Sequence, residues 1–283
     1  MEKLEKIIAK TTHPIGFNLL LNQIVEAVDG NNGPFLIHSS LSQLGWVIGG
    51  VQTLWEALDQ GLGHQATFVM PSQTFHLTDP ALWSDPQVPS SWWDEVRNSM
   101  PVYDPILTPP WKMGQLVNYF WNVPGTFRSS HPQASFLARG PLASEIIKHH
   151  PLEMPLGPKS PLRRLYEMDA VILLLGVGWD SCTAFHLAEY LQKGVALNSL
   201  EFPAARKSGI TQWNSYRDIE YNSEVFPWIG RDLENHPRGG VVSFKLGQGR
   251  AKLLPVKTAV DGALHWLKEG DLENWNPELD RAF

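Results

Sequence analysis

The sequence predicts an α/β fold, a mixed and largely parallel central sheet with helices packed on it. Three stretches carry that expectation. The segment FLIHS, a glycine-containing loop, the helix-patterned VQTLWEALDQGLG and then ATFVMPS read as strand, loop, helix, strand, the unit that builds parallel sheets. Further on, AVILLLGVG is a continuous apolar run of the kind found in a strand buried on both faces, and TAFHLAEYLQ follows it as a helix. Near the end, VVSFKLGQGRAKLLPV reads as a hairpin that leads into the helix TAVDGALHWLKEG.

The intervening elements follow from local signals. Val51, Leu54, Trp55 and Leu58 recur at helical spacing, and Pro71 halts the strand after them. Residues 77–112 are rich in Pro, Trp and Asp and have little periodicity, so a long functional loop is expected there. KMGQLVNYFWNV returns to helical spacing. FRSSHPQASFLARG reads as a loop and a strand, and PLASEIIKHH as a helix. Ser160 and Pro161 suit the cap and first position of another helix. EFPAARKSGITQWNSYRDIEYNSEVFPWIGRDLE reads as strand and loop. The whole chain, 1–283, is expected to be one domain, with cleft-forming loops at 77–112 and 201–235.

With 43% hydrophobic and 18% charged residues, the 283-residue chain has the composition of an ordinary folded protein. A net charge of −6 argues against a nucleic-acid partner and is compatible with a cationic small molecule or simply with solubility. One cysteine, Cys182, excludes an internal disulfide and a multi-cysteine zinc site, as expected in a reducing cytoplasm. MEKLEKIIAK lacks the apolar run of a signal peptide, and the longest apolar run, residues 170–177, is far short of the roughly 20 needed to cross a bilayer. A soluble cytoplasmic protein with no membrane partner is therefore expected. Of twelve tryptophans, Trp83, Trp92, Trp93, Trp111, Trp121, Trp213 and Trp228 fall in loop-like stretches, where they either pack or line a wall for a flat-faced ligand.

The chemistry-bearing stretch is WDSCTAFHLAEY. Thr183, His186 and Glu189 stand three residues apart, hence on neighbouring turns of one helix. A carboxylate beside an imidazole fixes its tautomer and steadies the imidazolium, as a general base requires, and the Thr183 hydroxyl is placed to donate to a developing oxyanion. In a continuous helix Asp180 and Glu189 would face opposite ways. Spacing alone still favours a polar helical face over a base. HSSLSQLGWVIGG puts Ser39, Ser40 and Leu41 at the end of a strand, where loops present N–H groups to anions. In FRSSHPQASF, Arg128, Ser129 and Ser130 are candidates for a phosphate, while His131 is either an exposed loop residue or a second catalytic candidate. Asp79, Asp85, Asp218, Glu220 and Glu224 are candidate partners for a polycation, or plain surface acids. No metal motif, P-loop, Rossmann glycine pattern or GxSxG elbow is present. His149 and His150 read as a helix end at the surface, and Cys182 reads as packed rather than nucleophilic.

Together these pieces resemble the aminoglycoside 3-N-acetyltransferase family. The matching segments, in family order, are HSSLSQLGWVIGG with VQTLWEAL, ATFVMPSQTFHLTDP, VYDPILTPPWKMG, FRSSHPQASFLARG, GPKSPLRRLYEMD and LLLGVGWDSCTAFHLAE, with a looser match at WNSYRDIEYNSEVFPWIGRDLE. The resemblance implies an antibiotic N-acetyltransferase fold distinct from the widespread GNAT fold. It also implies acetyl-CoA as cosubstrate, no metal, and the 3-amino group of an aminoglycoside antibiotic as acceptor. By position it makes Ser39, Ser40, Leu41, Arg128, Ser129 and Ser130 coenzyme contacts, and His186 the catalytic base with Glu189 and Thr183 beside it. Gln73 stands where a bulkier aromatic is common in the family, and with Asp79, Asp218, Glu220 and Glu224 it is assigned to substrate. Direct transfer without an acyl-enzyme follows from these roles. The alternatives are transfer to a different amine, or a protein that only sequesters its ligand.

Overall fold

A computed structural model describes residues 2–28, 30–31, 33–84 and 86–283; Asp85, one of the candidate acids, lies outside them. Helices α1 (Glu2–Lys10) and α2 (Phe17–Val28) come first, neither of them foreseen. β1 (Phe35–Ser39), α3 (Val51–Gly61) and β2 (Phe68–Pro71) form the expected crossover unit, and β1 and β2 pair in parallel. Then follow α4 (Trp93–Ser99), α5 (Gln115–Trp121), β3 (Phe127–Arg128), β4 (Phe136–Arg139) and α6 (Ala143–Ile147). α7 (Pro161–Glu167) is capped by the Ser160 hydroxyl, which accepts from the Leu162 N–H, and leads to β5 (Val171–Leu175) and α8 (Ala184–Glu189). Last come β6 (Asn198–Lys207), β7 (Ile210–Asp218), α9 (Phe226–Asn235), β8 (Val242–Leu246), β9 (Gly249–Pro255) and α10 (Val256–Glu269).

Seven strands form one sheet in the order β3-β4-β2-β1-β5-β9-β8. The mixed α/β class is as expected, but the parallel part is confined to β2, β1 and β5; the pairs on both flanks are antiparallel. Alternate residues of the central strands feed two cores. Phe35, Ile37, Phe68, Met70 and Leu173 face α2, α3 and α5, while Leu36, Val69, Ile172 and Leu174 face α6 to α10. Burial on both faces is why these strands read as unbroken apolar runs.

Neighbouring parallel strands β1 and β5 send their chains to opposite layers. After β1 the chain crosses to α3 in one core, and after β5 it enters α8 in the other. A crevice must open at the C-terminal ends of strands where such a divergence occurs. Gly176, just past β5, has φ +70°, and a Cβ there would stand 3.0 Å from the Ser40 carbonyl oxygen and 3.1 Å from the buried Leu44 side chain, so a side chain would press on the turn that follows β1.

The segment 201–235 departs from expectation. Its first half is the separate β6–β7 hairpin, and residues 226–235 are helix α9 rather than loop. Pro227 and Gly230 disguise that helix. Proline is tolerated in a first turn, and Gly230 is demanded by contact, since a Cβ there would fall 1.9 Å from the Trp179 ring. Residues 77–112 are mostly loop, with α4 docked on the hairpin through Trp213, whose indole N–H donates to the Arg97 carbonyl at 2.9 Å.

Candidate active site

Helix α8 is buried all round except at His186, and its N-cap, Thr183, is itself 8% exposed. The helix thus presents one imidazole to the crevice. Its Nδ1–H donates to Glu189 Oε2 at 2.6 Å, because an ionised carboxylate only accepts. Glu189 Oε1 accepts the Asn222 N–H at 2.8 Å, so both oxygens of this buried carboxylate are matched. Among the described residues His186 Nε2 has no hydrogen bond, which leaves its lone pair for chemistry.

His186 and Thr183 line a cavity of about 570 Å³ together with His38, Ser39, Ser40, Gln73 and Asp180. The strand end, Gln73 and the Thr–His–Glu helix, 148 positions apart in sequence from His38 to His186, therefore meet at the crevice. Asp180 is not on a helix with Glu189. It sits in a short 3-10 turn over Trp179–Ser181, which frees it from the helical geometry that would have faced it away. That turn is anchored by the Trp179 indole N–H, which donates to Glu234 at 2.7 Å.

His38 was missed by sequence reasoning. It lies at the end of β1, opposite Leu174 of β5, on the face where α8 packs. Burial, and the His186 imidazole nearby, push its pKa down to about 3, so it is neutral beside the candidate base. Tyr221 was missed too. Its ring packs 4.6 Å from that of His186, and Phe226 follows at 4.9 Å. Its hydroxyl donates to Asp218 Oδ2 at 2.6 Å, and the Tyr190 hydroxyl donates to Oδ1. Only spatial neighbours identify these two residues; no local motif marks them.

The remaining candidates are placed elsewhere. The Arg128 guanidinium is spent internally on the Ser72 and Ser135 hydroxyls and on the Thr108 and Ser72 carbonyls, between the rings of Tyr103 and Trp121. The Ser129 hydroxyl accepts from the Phe136 N–H, and Ser130 is exposed away from the cavity. Leu41 packs into the core below the Ser39–Ser40 turn. Asp79 is held by Arg97 at 2.7 and 2.9 Å, which draws its carboxyl below the usual range. Asp218 is buried under the two tyrosines, and its carboxyl is pushed up by that burial. Glu224 is exposed outside the cavity walls, and Glu220 lies on a second cavity. Among the described residues the candidate acids thus form no common wall.

Two histidines read as loop or surface residues are buried. His131 Nδ1 accepts the N–H groups of Gln133 and Ala134, and His150 Nε2–H donates to the Pro155 carbonyl at 2.7 Å. His150 Nδ1 then accepts the Ser129 hydroxyl, a bond that protonation would break. Burial pushes His131 down to about 3 and His150 to about 4. Cys182 is packed, its thiol pushed up to about 12 by burial.

A histidine depressed in the native state loses its stabilising effect on acidification. Below the unfolded value near 6.5 the unfolded chain takes up a proton that native His150 refuses until about pH 4. Each such group adds a slope of about 1.4 kcal/mol per pH unit across that window. We expect His150→Gln to flatten the pH dependence of urea-unfolding stability between pH 6.5 and 4 by about one such slope. An unchanged slope would show that His150 does not titrate in this way.

The family model for aminoglycoside 3-N-acetyltransferases matches residues 36–268 of the chain. A Bacillus subtilis (strain 168) protein, the SPbeta prophage-derived aminoglycoside N(3')-acetyltransferase-like protein YokD, is 37% identical over 275 residues, covering 96% of this chain and 99% of its own. Aminoglycoside N(3)-acetyltransferase VII of Streptomyces paromomycinus is 28% identical over 280 residues, covering 93% and 95%. The crystal structure of YokD superposes with a TM-score of 0.88 over 96% of this chain and 100% of that one, at 36% identity. A mutant of aminoglycoside acetyltransferase AAC(3)-IVa in complex with apramycin superposes at 0.73, with 28% identity and coverage of 91% and 94%.

Proposed function

The chain belongs to the aminoglycoside 3-N-acetyltransferase family and is an acyltransferase; from that premise we propose that it transfers an acetyl group from acetyl-CoA to the 3-amino group of an aminoglycoside, with His186 as general base. The observation that carries the reading is the His186–Glu189 pair at 2.6 Å, set in the wall of a cavity at the ends of β1 and β5. The amine must be unprotonated to attack the thioester carbonyl. Nε2 of His186 takes the proton lost as the N–C bond forms, Glu189 supports the imidazolium, and the C–S bond breaks with the proton passing to the departing thiolate. The Thr183 hydroxyl makes no hydrogen bond among the described residues and is assigned to the oxyanion.

Acetyl-CoA is a substrate here, consumed at each turnover. Ser39 and Ser40 line the cavity and support its placement at the strand end. Arg128 and Ser129, being committed within the protein, do not support it. The aminoglycoside acceptor rests on family membership and on the apramycin held by AAC(3)-IVa. A role in antibiotic resistance inside the cell follows from that acceptor. No helix among the described residues is long and apolar enough to cross a membrane.

Release of free thiol from acetyl-CoA in the presence of apramycin and a panel of other aminoglycosides tests the reading. Thiol release with a monoacetylated product is the expected result. No release with any member of the panel overturns it.

A further inference from the structure

A second cavity of about 620 Å³ adjoins the first, and Phe75 and Tyr221 belong to the walls of both. Tyr221 packs on the His186 ring, so this chamber lies one aromatic ring from the candidate base. Its wall is built from the two segments that flank the crevice. Leu82, Trp83 and Trp111 come from 77–112, Met100 from the end of α4, Leu200 from β6, and Ile219 from just beyond β7. The Trp83 indole N–H is satisfied by the Thr78 hydroxyl at 3.1 Å, which leaves carbon surface for a ligand. The His76 ring packs tilted against Trp111 with centroids 4.8 Å apart, and burial, with Arg128 nearby, lowers its pKa. Of the seven loop tryptophans, Trp83 and Trp111 thus do form a wall.

Charge separates the ligands this wall suits. A polycation needs several carboxylates, one for each ammonium that leaves water. Asp79 is neutralised by Arg97 and Asp218 is consumed by tyrosines, and among the described residues Glu220 is the one carboxylate on the chamber wall. The wall instead rewards the burial of carbon.

We propose that the enzyme also acetylates primary amines carrying a single ammonium on an apolar, aromatic-sized body, with that body in the Trp83–Trp111 chamber and the amine reaching past Tyr221 to His186. The inference rests on the acetyl transfer proposed above and adds an acceptor class to it. The balance is the same: the amine nitrogen bonds the acetyl carbon, the C–S bond breaks, and the amine proton leaves through His186 to give free CoA thiol.

The test compares 2-phenylethylamine, ethanolamine and apramycin as acceptors, by thiol release and product mass, in the wild type and in Leu82→Asp. Leu82 is 59% exposed, so the substitution puts a charge on the chamber wall without opening the core. We expect kcat/KM for 2-phenylethylamine to exceed that for ethanolamine by at least about tenfold, the factor for burying an aromatic side chain. Leu82→Asp should lower the 2-phenylethylamine value at least about fivefold relative to that for apramycin. Acetylation of apramycin with 2-phenylethylamine no better than ethanolamine overturns this inference alone. So does a Leu82→Asp effect equal on both acceptors. Acetylation of no amine of either class overturns it together with the proposed function.

Discussion

Replacing His186 by alanine should lower kcat for acetyl transfer by about 10²- to 10⁴-fold, the usual contribution of a positioned general base. The size of the loss follows from position. Among the described residues, Nε2 of His186 is the imidazole lone pair on this cavity that is backed by a carboxylate, while His38 is neutral and has no carboxylate partner. Alanine also removes the partner of a buried carboxylate, Glu189, and strips packing from Tyr221 and Phe226, so it combines a structural loss with the chemical one. His186→Asn separates the two effects. Its amide nitrogen falls where Nδ1 stood and can still donate to Glu189, but it carries no base. Both variants should retain cooperative unfolding, and both should lose turnover to a similar degree with KM for acetyl-CoA little changed. If either keeps more than about a tenth of the wild-type kcat, His186 is not the base.

That site was legible in the sequence to an uneven degree, for a physical reason. Thr183, His186 and Glu189 lie within two turns of one helix, so local geometry alone brings them together. β1, β2 and β5 were legible because burial on both faces leaves an apolar run, and the β8–β9 hairpin because its short turn interrupts two strand-like runs. His38 and Tyr221 reach His186 only through the pairing of β1 with β5 and the path of the chain after β7, which no short stretch encodes. Burial of polar residues was the least legible property. Asp218, His131 and His150 look like surface residues in the sequence, because what makes their burial tolerable is a set of distant partners. The surroundings of Arg128 were hidden in the same way. An arginine beside two serines suits a phosphate, but here the serines and carbonyls that surround it in the fold absorb the guanidinium.

Glu189→Gln should lower kcat by about 10³-fold while leaving the fold intact, and the reason lies in which atoms each partner can offer. The carboxylate accepts twice, from the Asn222 N–H through Oε1 and from His186 Nδ1–H through Oε2. A glutamine has one acceptor. If its oxygen keeps the Asn222 N–H, a rigid backbone donor, its NH₂ faces His186 and can only donate. Nδ1 must then become the acceptor and the ring proton moves to Nε2, the atom that has to receive the amine's proton. A tautomer reversed in this way is known to cost a comparable catalytic pair about 10⁴-fold with the geometry otherwise preserved. The loss should fall on kcat, with KM for acetyl-CoA and for the aminoglycoside little changed, because no substrate contact is removed. Imidazole ¹⁵N spectra of the resting enzyme should show the proton on Nδ1 in the wild type and on Nε2 in the variant. A kcat within tenfold of wild type, or an unmoved ring proton, would mean that Glu189 buries a charge beside His186 without setting its tautomer.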